Sequence, residues 1–270
     1  MFAVIAADTV SVMLNEVEDM ALARSVGVET EVIVKARRNL REGLVYGLAV
    51  SGKLASGKDT VAEMVMDRLG KPGAVQLTWA TALRRELDVV LQFIREADTP
   101  REACQYTCGL GIETHHAQTI VEKLWDCVRR EGATAHSRTP QIRWALQYLG
   151  TDVRRAQDQL HWVRLSIKEA ADNLSNGVSV YYTDCRHPNE VEVPRQLGFY
   201  AVRLEITPET QRNRLWGRDG IGVDAAAATH PSEVMLDGYA GFDLIVDNNG
   251  DIEHAVETIC AGLKTRYRTH

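Results

Sequence analysis

The stretch LVYGLAVSGKLASGKDTVAEMVMDRLG (residues 44–70) decides how the rest of the chain reads. Its first seven residues are apolar and rich in β-formers, Gly52 and Gly57 punctuate its middle, and TVAEMVMDRLG has the amphipathic spacing of a helix that stops at Gly70. Gly52 to Lys58 match G-x-x-x-x-G-K, placed directly after a strand and at the opening of a helix. Glycines at such a turn let backbone N–H groups curl around phosphate oxygens, the helix presents its positive end to them, and Lys58 adds a point charge. Gly52, Lys53, Ala55, Ser56, Gly57, Lys58, Asp59 and Thr60 are therefore expected to hold phosphates. Asp59 stands where the pattern usually has Ser or Thr, and the hydroxyl comes one residue later. Thr60 is the candidate for contacting phosphate and, directly or through water, Mg2+. Lys53 either lies over the phosphates or is solvated.

Outward from this stretch, four more short apolar runs read as strands: residues 74–79, 178–184, 199–205 and 242–248. Helical spacing covers residues 80–96, 117–131, 140–150, 152–175, 189–197, 207–216 and 251–265. Strands alternating with helices imply an α/β fold, a five-stranded parallel sheet covered on both faces. The long helical insertion, within residues 80–176, is where such a sheet carries a substrate lobe. Residues 1–42 form an extension of unassigned role, with helical spacing over 10–23 and a brief strand-like alternation over 29–34.

Three polar constellations stand out. In YYTDCRHPNE (181–190), Asp184 falls at the carboxyl end of a strand, where open α/β sheets bind ligands, and Arg186 and Glu190 follow it. Asp184 can hold Mg2+ through water or orient a substrate, Arg186 can neutralise a phosphate, and Glu190 can fix a sugar hydroxyl or an arginine. A helix cap followed by a solvated turn accounts for the same letters. In PETQRNRLWGRDG (208–220), Arg212, Arg214 and Arg218 read as arginines of a lid over about 212–230, with a solvated helix face as the plain alternative. Arg84 and Arg143 lie towards the two ends of the helical insertion and suit an acceptor phosphate. Gln147 and Trp79, Trp144 and Trp162 offer amide recognition and stacking, although tryptophans at helical spacing are more often core. Cys104, Cys108, His115 and His116 bring zinc to mind, but their spacing matches no common zinc site and buried thiols beside exposed histidines explain them as well.

Composition narrows the class. With 270 residues, 45% apolar and 25% charged, the chain is globular, and a disulfide scaffold or disordered protein is excluded. The 31 basic against 37 acidic residues give a net charge of -6 without a basic block, which disfavours direct nucleic-acid binding and a membrane partner. Five scattered cysteines fit reduced thiols, and the absence of a long apolar run or a basic leader leads to the expectation of a soluble, cytoplasmic protein.

The blocks SGKLASGKDTVAE, WATALRREL, LQYLGTDVRR with HWV after it, TDCRHPNEVEVPRQLGF and HPSEVMLDGYAGFDLIVDNNG occur in an order that resembles the phage-type deoxynucleoside monophosphate kinases, over roughly residues 44–265. Adenylate-kinase-like enzymes likewise place a non-hydroxyl residue after the lysine and Thr next. The resemblance implies a three-layer P-loop kinase fold with a helical acceptor lobe and a lid. It implies transfer of the γ-phosphoryl of ATP, with Mg2+, to deoxynucleoside monophosphates, in host cytoplasm if phage-encoded. Carried over, residues 53–60 would hold ATP, while Arg84, Arg143, Gly150, Thr151 and Trp162 would line the monophosphate lobe. Asp184, Arg186 and Glu190 would complete it, and Arg212, Arg214 and Arg218 would act in the lid. WATALR departs from the usual acidic version of its block, and residues 1–42 have no counterpart, which leaves room for a homodimer contact. Kinases of phosphomevalonate or dephospho-coenzyme A type share this loop chemistry, and a non-catalytic ATP-binding module is the alternative from another class.

Overall fold

The five apolar runs are strands: β1 Gly47–Gly52, β2 Val75–Leu77, β3 Val180–Cys185, β4 Tyr200–Glu205 and β5 Leu244–Asp247. They make one parallel sheet of order β2-β3-β1-β4-β5 in a computed structural model that describes residues 15–219 and 234–268. β1 is central because its interior residues carry small or branched apolar side chains that can be covered on both faces; Leu48, Ala49 and Val50 are all buried. The chain leaves β1 for β2 on one side, then returns past β1 to β4 on the other. The crevice at the carboxyl ends of β1 and β3 is thus the switch point, where ligands of open α/β sheets bind.

Helices cover both faces. On one, α3 (Lys58–Arg68) lies against β1 and β3, with the last helix of the chain, Ile252–Arg268, beside it. The two helices are tied by an Arg68–Glu253 ion pair of 2.6 Å. Because strand side chains alternate, Tyr181 faces the acidic groups of α3 while Tyr182 points the other way, its hydroxyl 3.0 Å from Ser166. Ser166 belongs to the helix His161–Ser175, which shares that second face with the helix Pro188–Leu197.

Residues 29–34 are not a strand. They enter α2 (Thr30–Arg41), which follows the helix of residues 15–26 (α1). The β-branched run of Val32, Ile33 and Val34 suggests extension locally, but the fully buried residues Ile33, Ala36 and Leu40 recur at helical spacing. Asn39, 7% exposed, donates its amide to the Leu174 carbonyl at 2.8 Å, so α2 is built into the sheet-bearing unit.

The chain divides into two compact units, Met1–Thr78 with Val163–His270, and Trp79–Trp162. The second is helical: α4 (Trp79–Glu96), α5 (Pro100–Cys108), α6 (Thr114–Glu131) and α7 (Pro140–Gln147), closing on a π-helix over Tyr148–Arg155. Leu87, Leu91, Ile94, Ile120, Leu124, Ile142 and Leu149 form its core. Two differences from the sequence expectation have local causes. α5 carries weak apolar periodicity, but Thr99, Pro100 and Glu102 spell a capped start: the Thr99 hydroxyl accepts from the Glu102 N–H at 3.3 Å and Glu102 accepts from the Asp98 N–H at 2.9 Å. The expected helices over 140–150 and 152–175 are interrupted by the π-helix and an irregular stretch before α8 (His161–Ser175). From Val163 onward α8 belongs to the sheet unit. In chain order the remaining helices are α9 (Pro188–Leu197), α10 (Pro208–Asp219) and α11 (Ile252–Arg268). Among the described residues no helix is long and apolar enough to cross a membrane.

If α2 belongs to the core, Ile33→Ala should destabilise the protein by about 2–5 kcal/mol in urea unfolding. An unchanged midpoint would show that α2 is dispensable to the fold.

Candidate phosphate site

The turn after β1 is a cradle of backbone donors. Gly57, the N-cap of α3, has φ +85°, and Ala55 has φ +63°, so the chain winds back on itself before the helix starts. No side chain caps α3, and its first backbone bond runs from the Val61 N–H to the Gly57 carbonyl. The N–H groups of Lys58, Asp59 and Thr60 are therefore left without intrahelical acceptors. This is the arrangement that binds anions at a helix start. Gly52 is indispensable for another reason: a Cβ there would lie 2.7 Å from the Leu204 carbonyl oxygen and 2.5 Å from Ser56 Oγ. Lys58 Nζ donates to the carbonyls of Gly52 and Lys53 at 2.8 and 2.9 Å, so its ammonium spans the loop.

A cavity of ≈450 Å³ opens in front of this turn. Ala55, Gly57, Lys58, Asp59 and Thr60 line it together with Asp184, Arg186 and Arg214. Residues far apart in sequence thus converge on one volume beside three uncapped N–H groups. Asp59 is held at the wall of the cavity: its Oδ1 accepts from Thr183 Oγ1 at the end of β3 and from Gln76 Nε2 of β2 at 3.1 Å. The carboxylate in the position of the usual hydroxyl thereby ties α3 to two strands.

Glu190 is buried, and its Oε2 accepts from the N–H groups of Arg186 at 2.7 Å and His187 at 3.1 Å. It caps the start of α9 and fixes the turn that presents Arg186 to the cavity, which makes it a support for that arginine rather than a residue lining the cavity. Arg186 itself is exposed.

The loop is also held from its outer side by residues that the sequence reading left aside. Asn248, 1% exposed, donates to the Ser56 carbonyl at 2.8 Å, and Gln211 of α10 donates to the Leu54 carbonyl at 2.9 Å. Arg214 donates to the Asn248 carbonyl at 2.6 Å and approaches the Ala55 carbonyl at 3.4 Å. It thus braces the loop while lining the cavity. Arg212 is exposed on α10. Arg218 lies on the same helix with its side chain outside the described residues, as are residues 220–230 of the expected lid. Lys53 does not line this cavity. It pairs with Asp237 at 2.5 Å beside a second cleft of ≈560 Å³. An Asn at the end of a strand and an Asp in a turn carry no sequence signal for these contacts; only the fold brings them to the loop.

Within the unit Trp79–Trp162, Arg84 donates to the Ala135 carbonyl. Arg143, Gln147 and Thr151 are exposed, the first two one turn apart on α7. Trp162, 2% exposed, is a brace: its indole N–H donates to the Gly150 carbonyl at 3.0 Å. A Cβ on Gly150 would lie 3.0 Å from Leu83 Cδ2, so the wide π turn packs tightly on α4. Trp79 is buried, and Trp144 stacks on Tyr148 at 4.9 Å. Arg154, which the sequence did not single out, is 8% exposed and grips Glu86 at 2.6 Å and the carbonyls of Leu110 and Gly111. Cys104 and Cys108 sit one turn apart with their sulfurs 3.9 and 3.8 Å from the carbonyl and hydroxyl of Thr114, while the rings of His115 and His116 lie 3.8 Å apart, tilted by 38°. Among the described residues no group of three or more His, Cys, Asp or Glu side chains is arranged to hold a metal ion.

No family model matches the chain. It is 26% identical over 226 residues to a protein of Acanthamoeba polyphaga mimivirus named "Putative deoxynucleotide monophosphate kinase", across 76% of this chain and 90% of that one. It is 25% identical over 228 residues to a phosphomevalonate kinase of Drosophila melanogaster, across 81% of this chain and 97% of that one. Both relatives are named as kinases, and the α/β architecture with its five-stranded parallel sheet is consistent with a P-loop kinase fold. The likeness supports a phosphotransferase of kinase type acting on a small phosphorylated acceptor.

Burial raises the pKa of the Glu86 carboxyl, but the neighbouring His161, its Nε2 3.5 Å away, and the hydrogen-bonded Arg154 outweigh it and hold the group below its ordinary value of 4.5. A carboxylate so depressed stabilises the fold fully above that ordinary value and loses its contribution as pH falls through the folded-state pKa. Glu86→Gln should therefore cost about 3 kcal/mol in urea unfolding at neutral pH, since Arg154 would stay buried without its counter-charge. The gap between variant and parent should narrow in acid; a gap that is constant with pH would refute the assignment.

Proposed function

We propose that the chain transfers the γ-phosphoryl group of ATP to the phosphate of a deoxynucleoside 5'-monophosphate, yielding ADP and a deoxynucleoside diphosphate for DNA synthesis. The observation that carries this reading is the convergence of Lys58, Arg186 and three uncapped helix N–H groups on one cavity at the switch point of the sheet. Supporting it are the ordered sequence blocks and the mimivirus relative. The Drosophila relative is of nearly equal identity, so phosphomevalonate is the second acceptor to be tested.

In this mechanism an acceptor phosphate oxygen attacks the γ-phosphorus in line, a new P–O bond forms, and the bond to the β,γ-bridging oxygen breaks. The acceptor is already an anion at neutral pH, so no strong general base is required. The turn's N–H groups hold the donor phosphates, Lys58 follows the charge that moves onto them, and Arg186 offsets repulsion between acceptor and donor. Thr60 and Asp184 contribute a hydroxyl and a carboxylate to the cavity, hard oxygen donors that suit Mg2+. When bound, that ion would neutralise phosphate charge. Arg84, Arg143, Gln147 and Thr151 are the candidates for gripping the acceptor, and Arg212 and Arg218 those for closing over it.

ADP release should be measured with dAMP, dGMP, dCMP, TMP, ribonucleotides and phosphomevalonate offered singly. Stimulation by one or more deoxynucleotides, with the diphosphate as product, is the expected result. Stimulation by phosphomevalonate alone would replace the acceptor, and ATP binding without any product would leave a binding module. Lys58→Ala should lower turnover by roughly a hundredfold, by analogy with the loss of one oxyanion donor; near-parental turnover would overturn the site.

A further inference from the structure

Arg203 lies in β4, one strand from the centre of the sheet, and is 8% exposed. A guanidinium there must be hydrogen-bonded on several sides. Its Nη1 donates to Ser51 Oγ at 2.9 Å and its Nη2 to Asp237 Oδ1 at 2.8 Å. The Ser51 hydroxyl in turn donates to the Cys185 carbonyl at 2.9 Å, just where the pairing of β1 with β3 shifts register. The other carboxylate oxygen of Asp237 accepts from Lys53, the second residue of the glycine turn, at 2.5 Å. One carboxylate is therefore linked to both segments that carry the phosphate site, the glycine turn and the end of β3. Through Lys53 it holds the start of the turn, and through Arg203 and Ser51 it holds the end of β3, the residue before Arg186.

We propose that Asp237 is a positioning residue for phosphoryl transfer, setting the spacing between the phosphate turn and Arg186. The inference rests on the kinase reading above. Asp237 is not among the residues that line the cavity, so its effect is on geometry, and errors of about 1 Å in such geometry are felt mainly in turnover.

The test compares parent, Asp237→Asn, Lys53→Met and the double variant for ADP affinity by calorimetry, for kcat and KM with the acceptor found above, and for thermal midpoint. Asp237→Asn is expected to lower kcat about tenfold per folded molecule with a smaller change in KM for ATP. It should also weaken ADP binding about fivefold, and the double variant should lose much less than the product of the single losses. Parental kcat and ADP affinity in Asp237→Asn would overturn the proposal, as would a lowered midpoint with unchanged activity per folded molecule or strictly multiplicative losses. A parent that binds ADP but phosphorylates no acceptor would overturn the kinase reading alone, and the ADP comparison would then decide the role of Asp237. A parent that binds no ADP would overturn both.

Discussion

Three backbone N–H groups that have no intrahelical acceptor at the start of α3 are the constraint around which the sheet unit is organised. Orphan donors at a helix terminus cost little where water or an anion can reach them and a great deal where they are buried, so the surrounding chain must keep the cavity in front of them open. It does so by ending β1 in a backward turn through Ala55 and Gly57 and by bracing that turn on its outer side with Asn248, Gln211 and Arg214. The braces bond to carbonyls of the turn, leaving its N–H groups to face the cavity.

Asp59 shows how the motif's departure from its usual form is accommodated. A carboxylate at the second position of a helix is favourable to the dipole, but beside bound phosphates it would repel them. Hydrogen bonds from Thr183 and Gln76 turn it towards the strands, where it joins α3 to β3 and β2. The neighbouring Glu190 works in the same way, its charge being used on the backbone of Arg186 and His187. Acidic residues close to the phosphate site thus serve to hold its cationic and N–H groups in place, and Asp237 extends that pattern to the start of the turn.

The helical unit has a different internal logic. Its apolar core is supplemented by one buried ion pair, Arg154 with Glu86, and by a π turn whose carbonyl at Gly150 is met by the indole of Trp162. Two residues expected to line an acceptor site, Gly150 and Trp162, are committed to that turn, whereas Arg143 and Gln147 project to solvent from α7.

The order of strands and helices and the placement of the phosphate turn were legible in residues 44–70 and in four apolar runs, because strand, glycine turn and helix propensity are local properties. The parallel sense followed from alternation, whereas the order β2-β3-β1-β4-β5 is set only by the tertiary structure. The helical state of residues 30–41 did not, since a short β-branched run is ambiguous until tertiary burial picks Ile33, Ala36 and Leu40 as one face. Among the site residues, Lys58, Asp184 and Arg186 could be nominated from motifs, but the tasks of Glu190, Arg214, Asn248, Arg203 and Asp237 could not. Their partners are backbone carbonyls, backbone N–H groups and side chains as much as 192 positions away. A polar side chain does not encode its partner in its neighbours; the sheet order brings the pair together, and at Glu190, Asn248 and Arg203 burial then makes the hydrogen bond obligatory.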